Sequence, residues 1–409
     1  MEISFINALT LADSKDPYFL GDRGIDGYLS LTDSTAIGLS TVKLSLEGGL
    51  VNTLFCLDWY AATVLQKTQK LLDLTTVKKP TDFIGTEEQT SCPPKCFFHF
   101  DIPKTLHGKL LGQDNAFLGD LPASIPLFEP GKKHAMLQPR CSGQSKVVYV
   151  VRAQAFQQDN LLLSSTARIK IIPSLDARPP ICVADFPGEY ALAKSTCDGI
   201  RFPAIPRTRE LLIQASPPEQ VVIAYPMDYI SLRTCLYLTQ MAPSTQECRL
   251  QQPKKMALCH CNGLLVASTF ITSEPREKVP TLKDLASERT LSRNTHVCGK
   301  ARASVVQFSK WREVTRMVRD GSNSTSKPIT QWQTEAPLTL KVENIRPSYI
   351  VPSFESSLVS RRYKFDLRVR ITEPRRCTFR LSLPVQILYR TDASTPAAVA
   401  ETECPAYIP

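Results

Sequence analysis

PYFLGDRGIDGYLSL, running from Pro17 to Leu31, carries glycines at a spacing of three: Gly21, Gly24 and Gly27. That spacing invites comparison with a phosphate-cradling loop. Such a loop delivers the chain into a helix, because the amides and dipole at the helix N-terminus bind the anion. Here the chain goes elsewhere. From Ile25 through Leu29 to Leu31 the apolar residues fall at every second position, the period of a strand with one buried face. Neither G-x-G-x-x-G nor G-x-x-x-x-G-K-S/T is present. The stretch reads as a tight turn between two strands, with Gly21 and Asp22 supplying turn chemistry and Gly27 marking a bulge or a close backbone approach.

Composition points the same way. A chain of 409 residues, 43% hydrophobic and 22% charged, is globular and too long for one compact core, so two domains are expected. With 31 prolines against 17 glycines, many strands ended by prolines fit better than a helix bundle. The start, Met1-Glu2-Ile3-Ser4-Phe5, lacks the basic residues, apolar stretch and cleavage site of a secretory signal. No apolar run reaches the ~18 residues of a membrane span. The nearest, Met256 to Ile271, contains His260 and Asn262. The expectation is a cytoplasmic protein, peripherally associated with the plasma membrane or endosomes. The 13 cysteines, an odd number, then read as reduced and mostly buried thiols. Cys92-Pro-Pro-Lys-Cys96 and Cys259-His260-Cys261 have no second half at zinc spacing, and neighbouring strand residues point to opposite faces, so no metal and no cofactor is expected. Asn323-Ser324-Thr325 is a glycosylation sequon that a cytosolic chain would not use.

Charge is unevenly placed. Residues 1–188 carry 18 Lys and Arg against 19 Asp and Glu, whereas residues 189–409 carry 31 against 20. The excess appears as Lys254-Lys255, Arg361-Arg362, Arg375-Arg376 and the set Lys310, Arg312, Arg316 and Arg319. Two readings stand: solvated strand edges that discourage edge pairing, or a surface that attracts acidic cargo or lipid headgroups. The second makes Lys254, Lys255, Arg361, Arg362, Arg375 and Arg376 candidate anion-binding residues. Nucleic acid is not expected, because the basic residues are not interleaved with aromatics in a known module pattern.

Period-two segments dominate the chain. In the first half they run Ile3–Leu9, Ile25–Leu31, Leu39–Leu46, Phe97–Ile102, Val147–Phe156 and Thr166–Ile172. In the second they run Glu210–Ala215, Gln220–Ala224, Leu232–Leu238, Leu264–Ile271, Ala303–Phe308, Leu338–Val342, Tyr363–Ile371 and Phe379–Ile387. Short strands separated by proline and glycine predict an all-β architecture. One stretch differs: after Asp58, a candidate N-cap, apolar Val64, Leu65, Leu71 and Leu72 oppose Gln66, Lys67, Gln69 and Lys70, which predicts one helix over about 58–74. Residues 75–95, 104–120 and 272–300 read as insertion loops. The proline-rich join from Pro173 to Pro180 divides a first domain, 1–180, from a second, 181–392, with a tail over 393–409.

The order of motifs resembles the arrestin family, and within it the fungal α-arrestins. Tyr18-Phe19-Leu20-Gly21-Asp22, Gly27 to Leu31 and Val42 to Gly48 resemble the opening turn and paired strands of an arrestin N-terminal domain, with Leu20 where proline is usual. Phe98 to Pro103, Leu121 to Leu127 and Val147 to Ala153 resemble its later strands. Arg209 to Ile223, Val351 to Phe365 and Leu383 to Ile387 are similar to segments of the C-terminal domain. The resemblance implies two immunoglobulin-like β-sandwiches in tandem and a non-enzymatic adaptor. Such an adaptor binds cytosolic segments of membrane transporters or receptors and links them to a WW-domain ubiquitin ligase or to endocytic machinery. The first strand, Ile3 to Ala8, lacks the lysines of phosphate-sensing members. A ligase motif of P-P-x-Y type is present only in degenerate form, as Arg346-Pro347-Ser348-Tyr349 and as Cys404-Pro405-Ala406-Tyr407, the latter offering Pro405 and Tyr407. The alternative is a retromer-type sorting scaffold of the same fold without ligase recruitment. No catalytic constellation is visible: G-x-S-x-G and H-E-x-x-H are absent and the five histidines fall at no recognisable spacing. His99, between Phe98 and Phe100, reads as a residue on a sheet face.

Overall fold

The computed structural model describes residues 1–10, 15–21, 23–31, 38–57, 62–84, 93–106, 119–124, 141–175, 179–197, 210–223, 229–241, 252–253, 255–319, 326–345, 350–373 and 376–389. These are mostly β-strand. The first half comprises β1 (Glu2–Phe5), β2 (Tyr18–Leu20), β3 (Ile25–Ser30), β4 (Thr41–Leu57), β5 (Ala62–Lys78), β6 (Lys95–Phe100), β7 (Cys141–Gln157) and β8 (Asn160–Ile172). The second comprises β9 (Ala193–Cys197), β10 (Glu210–Ala215), β11 (Val221–Ile223), β12 (Ile230–Met241), β13 (Leu258–Thr272), helix α1 (Leu282–Ser287), β14 (Leu291–Gln307), β15 (Arg312–Arg319), β16 (Ser326–Glu343), β17 (Phe354–Glu355), β18 (Val359–Glu373), β19 (Cys377–Val385) and β20 (Ile387–Tyr389).

The opening stretch forms a turn and strand. β2 pairs in parallel with β8, and β3 runs antiparallel between β1 and β6 with no break in register. Gly24 turns the chain at φ +66°, a conformation that disfavours a side chain. Gly27 is a close approach rather than a bulge: a Cβ there would lie 2.4 Å from the Phe98 ring and 2.5 Å from the Ser4 carbonyl.

The helix expected over 58–74 is instead strand β5; residues 58–61 lie outside the described residues. β5 pairs antiparallel with β4 from Val42↔Lys78 to Leu57↔Ala62. The register slips between Gly48↔Leu72 and Gly49↔Lys70, which leaves Leu71 as an extra residue. Both Leu71 and Leu72 are buried. A bulge breaks the period of two, because residues on either side of it change face. The buried pair at 71–72, together with the apolar pair at 64–65 seven residues earlier, imitates helical spacing. Two expected loops also carry structure. Residues 75–78 continue β5, and Ile84 bridges to Lys95. Within 272–300, α1 and the first residues of β14 are regular. The one α-helix among the described residues therefore lies in the second half, where Thr281 caps it and Asp284 closes a capping box. Of the loop expected over 104–120, the described part includes a bridge from Thr105 to Asp120.

Four sheets result: β1-β3-β6, β2-β8-β7-β4-β5, the parallel pair β11-β20, and a ten-stranded sheet that places β19, β18, β13 and β14 side by side. Buried side chains form two large clusters. One joins Ile25, Leu29 and Phe98 of the three-stranded sheet to Leu44, Leu46, Tyr149 and Val151 of the five-stranded sheet. The other gathers the apolar faces of β10, β12, β13, β16, β18 and β19. β2 stands between them: Phe19 enters the first cluster, Tyr18 and Leu20 the second. Val351, Phe354, Leu358 and Val359, late in sequence, return to the first. Hydrogen bonds join the halves: Asn52 donates to the Thr272 carbonyl at 2.8 Å and the Leu358 carbonyl at 2.9 Å, and Asn294 donates to the Gly143 carbonyl at 2.7 Å.

Candidate functional site: a cationic sheet face

From Tyr363 to Ile371, β18 alternates strictly. Tyr363, Phe365, Leu367, Val369 and Ile371 are buried, while Lys364, Asp366, Arg368 and Arg370 face outward. In β19, Phe379, Leu381 and Leu383 are buried and Arg380 is exposed. The register then fixes the outer face. Arg380 lies opposite Arg368, which lies opposite Asn262 of β13. One row away are Thr378, Arg370 and His260; on the other side are Ser382, Asp366, Leu264 and Lys300 of β14. The curled sheet makes this face concave, a depression of about 730 Å3 lined by Leu264, Lys300, Asp366, Arg368, Arg380 and Ser382.

The electrostatics are one-sided. Asp366 accepts a hydrogen bond from the Ser382 hydroxyl at 2.7 Å and an ion pair from Lys364 at 2.9 Å. Among the described residues, Lys300, Arg368, Arg370 and Arg380 form no ion pair. Arg368 and Arg380 are direct cross-strand neighbours, about 5 Å apart at Cβ for such a pair, and like charges so placed destabilise the sheet. The concavity can therefore receive carboxylates or phosphates without breaking an internal contact of these four side chains.

Arg361 and Arg362, expected on the anion-binding surface, are inside, with relative exposures of 1% and 3%. This corrects the sequence reading. Arg361 shares the inner face with Tyr363: its Nε donates to the Tyr363 hydroxyl at 2.9 Å, Nη1 to Thr269 at 2.9 Å, and Nη2 meets His296 Nε2 at 2.8 Å. Arg362 is on the outer face, but that end of the strand is covered. Its Nη2 donates to Glu189 at 3.0 Å and to the Pro280 carbonyl at 2.7 Å, and its guanidinium lies 4.5 Å from the Phe186 ring and 4.2 Å from the Phe270 ring. Desolvation lowers the Arg362 pKa against the pull of Glu189, and raises that of Glu189 against the pull of Arg362.

The remaining candidates are scattered. Lys255 is exposed and pairs with Glu373 at 3.4 Å, and Arg376 is exposed at the start of β19. Lys254, Arg375, Pro405 and Tyr407 lie outside the described residues, as do Pro347 and Tyr349. Lys300, Arg368, Arg370 and Arg380 were missed because they are not doublets. The available signal for the two on β18 was a charged residue at alternate positions of a strand, Lys364-x-Asp366-x-Arg368-x-Arg370. Cys259 and Cys261 share a buried face, Sγ to Sγ 3.6 Å, with His260 on the other side. His99 contacts Asp26 at 2.6 Å and Asp101 at 3.0 Å on the exterior of β6. Among the described residues no helix is long and apolar enough to cross a membrane, and no group of three or more His, Cys, Asp and Glu is placed to hold a metal ion. Compared with protein-family models and with curated proteins, the chain matches none.

Proposed function

We propose that the protein is a non-enzymatic, arrestin-like adaptor whose cationic sheet face binds acidic cytosolic segments of membrane proteins. The observation that carries this reading is the concave row of Arg368 and Arg380, flanked by Lys300 and Arg370 and without ion pairs among the described residues. Two β-rich halves with their own apolar clusters support the tandem-sandwich expectation, and the motif order from Tyr18 to Ile387 supports the family. Concavity favours a peptide over a bilayer. An extended acidic segment can lie in a trough with cationic walls, whereas a flat headgroup layer meets only its rim. Peripheral membrane association follows from cargo held at the membrane.

The test is fluorescence anisotropy with acidic peptides of about a dozen residues, using wild type and the Arg368→Glu/Arg380→Glu variant, with phosphatidylserine vesicles in a parallel arm. The reading requires peptide binding that falls at least tenfold in the variant. Binding of vesicles alone would move the reading to a lipid surface, and unchanged peptide binding would end it. Ligase recruitment rests on Pro405 and Tyr407. A peptide spanning Thr402 to Pro409 should bind a WW domain and lose binding as Tyr407→Ala; equal binding by both would leave the sorting-scaffold reading in its place.

A further inference from the structure

A second concavity, distinct from the sheet face, lies where the segment Gly188–Tyr190 crosses β13, β14 and β18. It is small, about 100 Å3, and is lined by Glu189, Tyr190, Ser268, Arg293, Arg362 and Lys364 among others. Three cations thus meet one carboxylate. Lys364 is engaged by Asp366 at 2.9 Å, and Glu189 by Arg362 at 3.0 Å and by the Leu282 amide at 3.1 Å. Arg293 has no ion-pair partner among the described residues, although Glu189 acts on it at longer range. Arg362 has one engaged nitrogen: Nε and Nη1 are buried without an acceptor. A desolvated guanidinium N–H left unpaired is costly, and few native side chains keep two.

We infer that this cavity is a binding site for a small oxyanion of phosphate or sulfate type, held by Arg293 and by the unfilled donors of Arg362. The geometry suits that class. Guanidinium groups present N–H forks that match the oxygens of a tetrahedral anion. The volume is several times the ~10–15 Å3 of probe-occupied space that one water needs, which leaves room for a tetrahedral ion. The Tyr190 hydroxyl, whose pKa burial raises to about 12, stays protonated and available as a donor. The ion would complete the buried charge set that joins Gly188–Tyr190 to the sheet, and its source is either free phosphate or a phosphorylated side chain.

The experiment is thermal unfolding of the full chain at neutral pH in sodium phosphate and in sodium chloride of matched ionic strength, with O-phosphoserine as a third arm. The expected result is a saturable rise in Tm of several degrees in phosphate beyond that in chloride, because a ligand that binds only the folded state stabilises it. Arg293→Gln should abolish the rise and Arg293→Lys restore part of it. Arg368→Glu/Arg380→Glu should retain it, which separates this site from the peptide-binding face. An equal rise with phosphoserine identifies a phosphorylated chain as an occupant; a rise with phosphate alone identifies the free ion. No excess over chloride, an undiminished rise in Arg293→Gln, or its loss in the face variant would overturn the inference.

Discussion

Arg361 and Arg362 show how one step along a strand changes the meaning of a charge. As a doublet they suggest a surface, yet the segment around Phe186 and Glu189 covers the outer residue and the core encloses the inner one. Removing one partner of a buried pair leaves the other uncompensated, at a typical cost of about 3–5 kcal/mol. Arg362→Ala should therefore destabilise by about that amount in urea unfolding, while Arg368→Ala, exposed and without an ion pair among the described residues, stays within about 0.5 kcal/mol. An equal, small effect of both would show that Arg362 is not structural. His99 supplies a pH signature. Its hydrogen bonds with Asp26 and Asp101 raise its pKa above the usual 6.5. The stabilisation is thus fully present below that value and is lost as pH rises through the folded-state pKa. With 41% of the side chain exposed, screening holds the effect below about 1 kcal/mol. Urea midpoints measured from pH 5.5 to 8.5 should slope less in His99→Gln than in wild type.

At the scale of elements, the strands were largely legible in the sequence because each buries one face. Glu210–Ala215 matches β10 at both ends, and Tyr363–Ile371 falls within β18. β5 was not legible, since the extra Leu71 shifts its apolar residues out of step and only pairing with β4 reveals the bulge. The cationic face occupies an intermediate place: the alternation of Lys364, Arg368 and Arg370 with apolar residues was visible, but the juxtaposition of Arg368 with Arg380 depends on register. That juxtaposition makes a prediction with two readouts. Arg380→Glu turns a like-charge cross-strand pair into an opposite-charge one and should raise stability by about 0.2–1 kcal/mol while weakening acidic-peptide binding. Lower stability, or unchanged binding, would show that the pair is not a site kept at the expense of the sheet.

For the whole molecule, the buried apolar residues form two large clusters whose membership is interleaved along the chain. Residues 351–359 return to the first cluster, and Tyr18, Leu20 and Ile172 enter the second. No local pattern announces such exchanges, because they depend on contacts between residues hundreds of positions apart. Asn52 is a bolt of this kind, fully buried and donating to carbonyls of Thr272 and Leu358. Asn52→Ala leaves both carbonyls without that donor and should cost about 2–4 kcal/mol, measured by denaturant unfolding monitored at both halves. Two separate transitions in the variant would show that Asn52 couples them; a single unshifted transition would show that it does not.

On the proposed reading, the concave face of the second half selects its partner by charge. Reversing that charge tests it most directly: a Lys300→Glu/Arg368→Glu/Arg380→Glu protein, confirmed folded by its unfolding midpoint, is titrated with an acidic peptide and with its lysine-substituted counterpart. Wild type should bind the acidic peptide and the variant should prefer the basic one, with both affinities falling as salt rises. A variant that still binds the acidic peptide as wild type does would contradict it.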